Sequence, residues 1–322
     1  MKCRICENSA GLETYAIREM MFGTRDLFAY FRCPACGCLQ IAEIPGDMSG
    51  YYPSEYYSYN MPVPEVPSVK SFLKKKRDWY AVSGRGFSGK MLNMLFPPDL
   101  IKIYSGLPLN HRILDVGCGT GTLIWRLKEA GFSNVTGIDP YNSNTIKYDN
   151  GLTIENKPLI EMKGVWDLIT WHHSFEHIAA PLEELRKAVS ILSENGRCII
   201  RIPVIDSWAW ENYKTDWVQI DAPRHFYLHS VKSLEILAER TGLSVDKVEY
   251  DSTAFQFWGS EQVLKGIHLN SDESYYINPG KSIFRKKQIV NYGREAAKLN
   301  REGKGDQALF YLKNKKLNNQ IK

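Results

Sequence analysis

The chain reads as an α/β protein built on a doubly wound, mainly parallel sheet. Two observations predict this. Between residues 71 and 262, short apolar runs of strand length alternate with segments of helical period. That alternation argues for parallel strands covered by helices on both faces. Within it, Ile113-Leu114-Asp115-Val116-Gly117-Cys118-Gly119-Thr120-Gly121 is an apolar strand that breaks into a glycine loop and then a helix. An acid, Asp115, opens the loop, and a second, Asp139, ends the next apolar run. This order of strand, loop, helix, strand and acid marks a nucleotide-binding half of such a sheet.

Four segments follow from the N-terminus. Residues 1–60 carry two CxxC pairs, Cys3/Cys6 and Cys33/Cys36, and end in the aromatic run Tyr51 to Tyr59. Each pair fits a tight knuckle that aims two thiolates at one point, and four thiolates make a closed tetrahedral Zn²⁺ site of the structural kind. Gly37 can supply the left-handed turn such a knuckle needs. The gap of 26 residues between pairs calls for one extended hairpin. Cys38 could replace Cys36 but breaks the spacing, while Cys118 and Cys198 read as packed thiols. Residues 61–70, with Pro62, Pro64 and Pro67, read as a stiff linker.

The core, residues 71–262, is expected to hold strands at Ile113–Val116, Val135–Ile138, Leu152–Glu155, Trp166–Trp171, Arg197–Val204, Val245–Tyr250 and Phe255–Phe257. Helices are expected at Leu123–Ala130, from Pro181 to the Asn195-Gly196 turn, and at Val231–Thr241. Pro181 suits a first helical position, Ser230 an N-cap, and Gly131 and Gly242 the positions just past a C-terminus. Residues 263–322 form a basic extension read as helical from about Phe284. Residues 281–322 hold twelve Lys/Arg against three acids, whereas the rest of the chain carries 29 against 33. A basic tail can grip nucleic acid, an anionic glycan or a membrane surface, or be a solvated helix face.

The glycine loop lacks the third glycine of the dinucleotide fingerprint and the Gly-Lys-Ser/Thr of a phosphate loop. It resembles instead the first motif of class I S-adenosylmethionine-dependent methyltransferases. The resemblance covers roughly residues 107–263. It implies a Rossmann-like sheet of seven strands with the last antiparallel, and S-adenosylmethionine (SAM) bound by Asp115, Gly117, Gly119, Gly121 and Asp139. Asp139 falls where that family keeps the acid that bonds both ribose hydroxyls. His173-Ser174-Phe175-Glu176-His177 resembles the His-x-x-Glu-His signature of the small-molecule branch. His172 is assigned to the cofactor and His173 to the cofactor side or to general-base work, since imidazole titrates near neutrality. Glu176 and His177 serve either the site or the start of the next helix.

A second candidate group is Asp221-Ala222-Pro223-Arg224-His225-Phe226-Tyr227. On a loop that would roof a substrate, His225 is the preferred base and Arg224 a clamp for an anionic group. Trp208, Trp210, Tyr213 and Trp217 could stack on a sugar or base, or close a lid. The stretch Trp171–Ser174 lacks the Asn/Asp-Pro-Pro-aromatic run of the family's amino methyltransferases. No cysteine lies at the strand ends to serve RNA pyrimidine C5 chemistry.

Four-cysteine modules ahead of such a core resemble those of the deoxysugar C-methyltransferases of surface-polysaccharide clusters and of ribosomal-RNA guanine methyltransferases. The Tyr-Tyr-Pro-Ser-Glu-Tyr-Tyr run is similar to the former group, although its large extra C-terminal domain is missing here. The reading is therefore methyl transfer to a small, sugar-like acceptor. The alternative is an RNA methyltransferase that uses ribbon and tail as its grip. With 43% apolar and 24% charged residues, no apolar run of membrane length and no N-terminal signal pattern, a cytoplasmic, reducing location is expected.

Overall fold

A computed structural model of the chain describes residues 1–52, 68–98 and 100–315. The strands are β1 (Glu13–Arg18), β2 (Leu27–Arg32), β3 (Leu39–Ile41), β4 (Arg112–Val116), β5 (Asn134–Ile138) and β6 (Ile146–Lys147). They continue with β7 (Thr153–Glu155), β8 (Trp166–His172), β9 (Leu192–Pro203), β10 (Tyr227–Leu228), β11 (Leu243–Tyr250) and β12 (Gln307–Asn314). The helices are α1 (Val69–Ser83), α2 (Phe87–Leu95), α3 (Thr122–Glu129) and α4 (Pro181–Ile191). After them come α5 (Trp208–Tyr213), α6 (Val231–Arg240), α7 (Phe255–Leu264) and α8 (Lys286–Arg301). Of the expected linker, residues 61–67 lie outside the described residues, as do residues 53–59 of the aromatic run, while Val69 and Lys70 already belong to α1.

The chain divides into two compact units. One comprises Met1–Pro53, Phe175–Arg186 and Ile200–Lys322, the other Ser54–Ser174 and Lys187–Ile199. In the second unit β4 pairs in parallel with β5 on one side and β8 on the other, and β5 continues in parallel to β7. Ile113, Leu114, Ile138, Ile154, Leu168, Ile169 and Trp171 are buried along these strands. Such continuous apolar strands mark a sheet covered on both faces. Ile124 and Leu127 put the apolar face of α3 into the same core.

The first unit holds a four-stranded sheet in the order β1-β2-β3-β10. The antiparallel β1–β2 hairpin spans the long gap between the two CxxC pairs. The sequence-distant β10 completes the sheet beside β3. Ser230 caps α6 through a capping box, as its position suggested.

The main sheet has eight strands, β11-β12-β9-β8-β4-β5-β7-β6, not seven. Three differences account for the count. Ile146–Lys147 adds a short edge strand antiparallel to β7. Phe255–Phe257 is the start of helix α7 rather than a strand. Phe257, Trp258, Gly259, Ser260, Gln262 and Val263 are all buried, so the segment shows no one-sided period to distinguish helix from strand. The place of the last antiparallel strand is taken by β12, paired with β11.

The C-terminal segment is thus helical only over α8. Ala308, Leu309, Phe310 and Leu312 are buried in β12. Of the basic residues counted there, Lys313 pairs with Asp246 and Lys315 with Glu239. No helix among the described residues is long and apolar enough to cross a membrane.

Candidate active site

The glycine loop leaves β4 and enters α3 through three left-handed residues, Gly117, Gly119 and Gly121, with φ of 67°, 55° and 82°. A Cβ on Gly117 would sit 2.5 Å from the Ser174 Cβ, and one on Gly121 2.4 Å from the Ile154 Cδ1. Both positions therefore need glycine for space as well as for backbone angle.

Asp139 closes on the loop from the end of β5. Its Oδ2 accepts from the Gly119 amide at 2.8 Å and its Oδ1 from the Tyr141 amide at 2.9 Å. The Asn142 side-chain amide donates to the Gly119 carbonyl at 2.8 Å. The Tyr148 hydroxyl donates to the Thr120 carbonyl at 2.6 Å. The loop is thus fixed from outside on successive residues, and the exposed backbone it offers is preorganised.

Asp115 is buried and accepts from the Thr170 hydroxyl at 2.7 Å. Burial pushes its carboxyl up to about 7, the Thr170 bond opposes this, and the nearby Asp139 charge adds to it. A carboxyl raised above its unfolded value keeps its proton in the folded protein at pH values where the unfolded chain has lost it. Its contribution to stability is present at low pH and disappears as pH rises through about 7. Asp115→Asn is therefore expected to gain thermal midpoint relative to wild type at about pH 8 compared with about pH 5. Equal differences at the two pH values would remove this account.

The end of β8 lies against the loop. The Ser174 hydroxyl donates to the Val116 carbonyl at 2.6 Å. His173 takes a left-handed φ of 53°, a conformation that costs a residue other than glycine about 1 kcal/mol or more. The His172 Nε2 is 2.9 Å from the Tyr104 hydroxyl, so that ring is held by a tyrosine no local pattern pointed to.

The second histidine group gathers in the other unit. The His225 Nδ1 lies 2.8 Å from the Gln219 carbonyl, which can only accept, so that nitrogen carries the proton. The other ring nitrogen, Nε2, faces two carboxyl groups. It lies 3.9 Å from the Glu176 Oε1 and 3.8 Å from the Asp221 Oδ2. His177 packs edge-on to His225 at 4.8 Å and places its Nδ1 2.8 Å from the Arg224 carbonyl. Burial lowers the His177 pKa. Glu176 and His177 thus belong to one cluster with His225.

Arg224 is not available as a substrate clamp. It is fully buried and bonds Asp221 through Nε and Nη2, Glu19 at 2.9 Å, and the Tyr51 carbonyl at 3.2 Å. Glu19 in turn accepts from the amides of Met21, Phe22, Gly23 and Thr24. Burial alone would raise Asp221, but the Arg224 guanidinium outweighs it and holds that carboxyl below its usual value. Arg224 acts inward, fixing an ionised Asp221 near His225. Of the four expected aromatic stackers, Trp208 is half-buried against Phe257 and the other three are turned inward. Trp210, Tyr213 and Trp217 are buried, and the Trp217 indole donates to Asp306 at 2.9 Å.

The four CxxC thiols meet. Sγ atoms of Cys3, Cys6, Cys33 and Cys36 all lie within 4.8 Å of one another, with Cys3–Cys36 at 3.6 Å and Cys6–Cys33 at 3.5 Å. A tetrahedron of Zn–S bonds of about 2.3 Å needs sulfurs about 3.8 Å apart. The donor set therefore fits a structural zinc. Gln40 donates to the Cys3 Sγ at 3.1 Å, and Asn8 approaches the Cys33 Sγ at 3.6 Å. Both amides favour thiolate. The hydrogen bond from Cys36 lowers Cys3 to about 4 and raises Cys36 in turn. Gly37 adopts φ 79° at the second knuckle. Cys38 turns instead toward the Leu39 carbonyl.

The family model described as "Methyltransferase domain" matches residues 92–248, a span that takes in the glycine loop, Asp139, His172, His173 and His225. Over 146 residues the chain is 27% identical to a tRNA U34 carboxymethyltransferase of Pseudomonas fluorescens, covering 41% of this chain and 45% of that protein. Over 100 residues it is 33% identical to a ubiquinone biosynthesis O-methyltransferase of a Caulobacter species, covering 28% of this chain and 39% of that one. The chain thus spans less than half the length of the curated relatives it matches. Among solved structures, a mycolic acid cyclopropane synthase is 18% identical, with a TM-score of 0.42 over 65% of this chain and 79% of its own. The match over residues 92–248, together with these relatives, supports a methyltransferase domain there.

Proposed function

We propose that this chain transfers the methyl group of SAM to a small, sugar-like acceptor. The observation that carries the reading is the glycine loop with Asp115 and Asp139, held in a preorganised form inside the matched domain. Bound SAM would supply the activated methyl and its leaving group. The chain's part is to hold the cofactor on Gly117, Gly119, Gly121, Asp115 and Asp139, with His172 alongside, and to take the acceptor's proton. His225 is the proposed base and His173 the second candidate. The His225 Nε2 faces the Glu176 and Asp221 carboxyl groups, so a positive charge formed there would meet two acidic side chains. A structural zinc on Cys3, Cys6, Cys33 and Cys36 would brace the same unit and take no part in the transfer.

RNA is the second reading. The relative named for tRNA and the basic residues of α8 favour it. Against it, Trp210, Tyr213 and Trp217 offer no open stacking platform. Asp139→Ala should weaken SAM binding by about 2 kcal/mol, roughly 30-fold, since a charged hydrogen-bonding group is lost. Calorimetric titration checks it, and equal affinities would remove the cofactor assignment. Turnover to S-adenosylhomocysteine with nucleotide sugars against tRNA separates the two acceptors.

A further inference from the structure

Helices α1 and α2 form a hairpin. Gly84, left-handed at φ 68°, ends α1, and Gly86 precedes α2. The two helices touch at Gly89, where a Cβ would sit 2.4 Å from the Lys76 carbonyl oxygen and 2.6 Å from the Tyr80 Cβ.

The outward faces are apolar at helical spacing. On α2, Phe87, Met91, Met94 and Leu95 stand at i, i+4, i+7 and i+8, and three of them are about two-thirds exposed or more: Phe87 81%, Met94 70% and Leu95 66%. On α1, Val69, Phe72 and Leu73 are exposed one turn apart, and Phe96 follows α2 with its ring in solvent. An amphipathic helix ordinarily turns such a stripe toward a core.

The same hairpin is strongly basic. Between Val69 and Leu95 it carries seven Lys/Arg and a single acid, Asp78. That acid is buried between Arg77 and Arg126. Lys70, Lys76, Arg85 and Lys90 are exposed beside the stripe. The Lys76 ammonium rests over the Phe72 ring at 4.4 Å.

We propose that the α1–α2 hairpin seats the protein on an anionic lipid bilayer surface. The stripe would lie below the headgroups and the lysines at headgroup level. An exposed aromatic and Met/Leu face rimmed by cations is the composition of helices that lie in a membrane interface. The charge argues against a second copy as the occupant, because two such hairpins would bring like charges together. The apolar face argues against nucleic acid, whose phosphates would leave it in water. The inference is independent of the acceptor assignment.

The test is co-sedimentation of the full chain with vesicles of phosphatidylcholine alone and of phosphatidylcholine with phosphatidylglycerol. Binding is expected on the mixed vesicles and is expected to weaken with added salt. Phe87→Ser with Met94→Ser should lower partition about tenfold or more. Lys70→Glu with Lys90→Glu should abolish the preference for anionic lipid. All four residues are exposed, so the thermal midpoint should stay unchanged and a folding defect would be visible. Equal partition of wild type and the Phe87/Met94 variant would overturn the proposal. So would a wild-type dimer that dissociates in that variant without vesicle binding, which would assign the stripe to a second copy.

Discussion

Replacing His225 with alanine is expected to lower the methyl-transfer rate by about 10² to 10⁴, the range for loss of a general base, while SAM affinity stays at the wild-type value. The expectation rests on the Nδ1 bonded to the Gln219 carbonyl and the Nε2 placed near Glu176 and Asp221. Glu176→Gln keeps the shape and removes one of the two charges that stabilise the imidazolium, so it should lower kcat less than His225→Ala. A structural role alone predicts something else: both variants would lose thermal stability, and kcat would fall only with the folded fraction. Single-turnover measurements at saturating SAM, alongside thermal melts, separate the two. If His173→Ala rather than His225→Ala removes turnover, the base belongs to the turn after β8.

What was legible in the sequence was local. The glycine loop, its two acids and the β4–α3–β5 order sit within 30 residues, and each residue type there answers a demand its neighbours set. The paired CxxC spacing was legible for the same reason. What escaped was long-range. Arg224 looked like a clamp because its partner Glu19 lies 205 residues away. The basic charge near the C-terminus hid β12, whose buried Ala308, Phe310 and Leu312 make sense only beside β11. Tyr104 sits in a short 3₁₀ turn with no pattern of its own, yet it holds His172. The aromatic start of α7 read as a strand because burial on every side erases the period that distinguishes the two structures.

The other large effect concerns the four cysteines. Protein purified without added metal is expected to carry one zinc per chain, and Cys33→Ser is expected to lose it. The free energy at stake is large, because zinc-finger peptides gain about 10–16 kcal/mol from their metal at neutral pH. The loss here should be smaller, on the order of several kcal/mol, since the surrounding sheet has packing of its own: Ile17, Tyr30, Phe31, Leu39 and Ile41 are buried within it. Without metal, four sulfurs crowded to within 4.8 Å cannot all be thiolates, and a cation would displace the protons that remain. Stripping zinc with a chelator should therefore lower the thermal midpoint of the wild type and leave Cys33→Ser unmoved. Elemental analysis reads a further outcome. The donor atoms of Glu176, His177 and His225 also lie within 4.8 Å of one another. If Cys33→Ser retained one full equivalent of metal from a wild-type total of two, the second ion would sit on that cluster. His225 would then be a ligand, its lone pair would be committed, and the acceptor's proton would have to go elsewhere. One equivalent, lost completely with Cys33, keeps the two sites distinct: the thiols hold metal, and the imidazole remains free to take a proton.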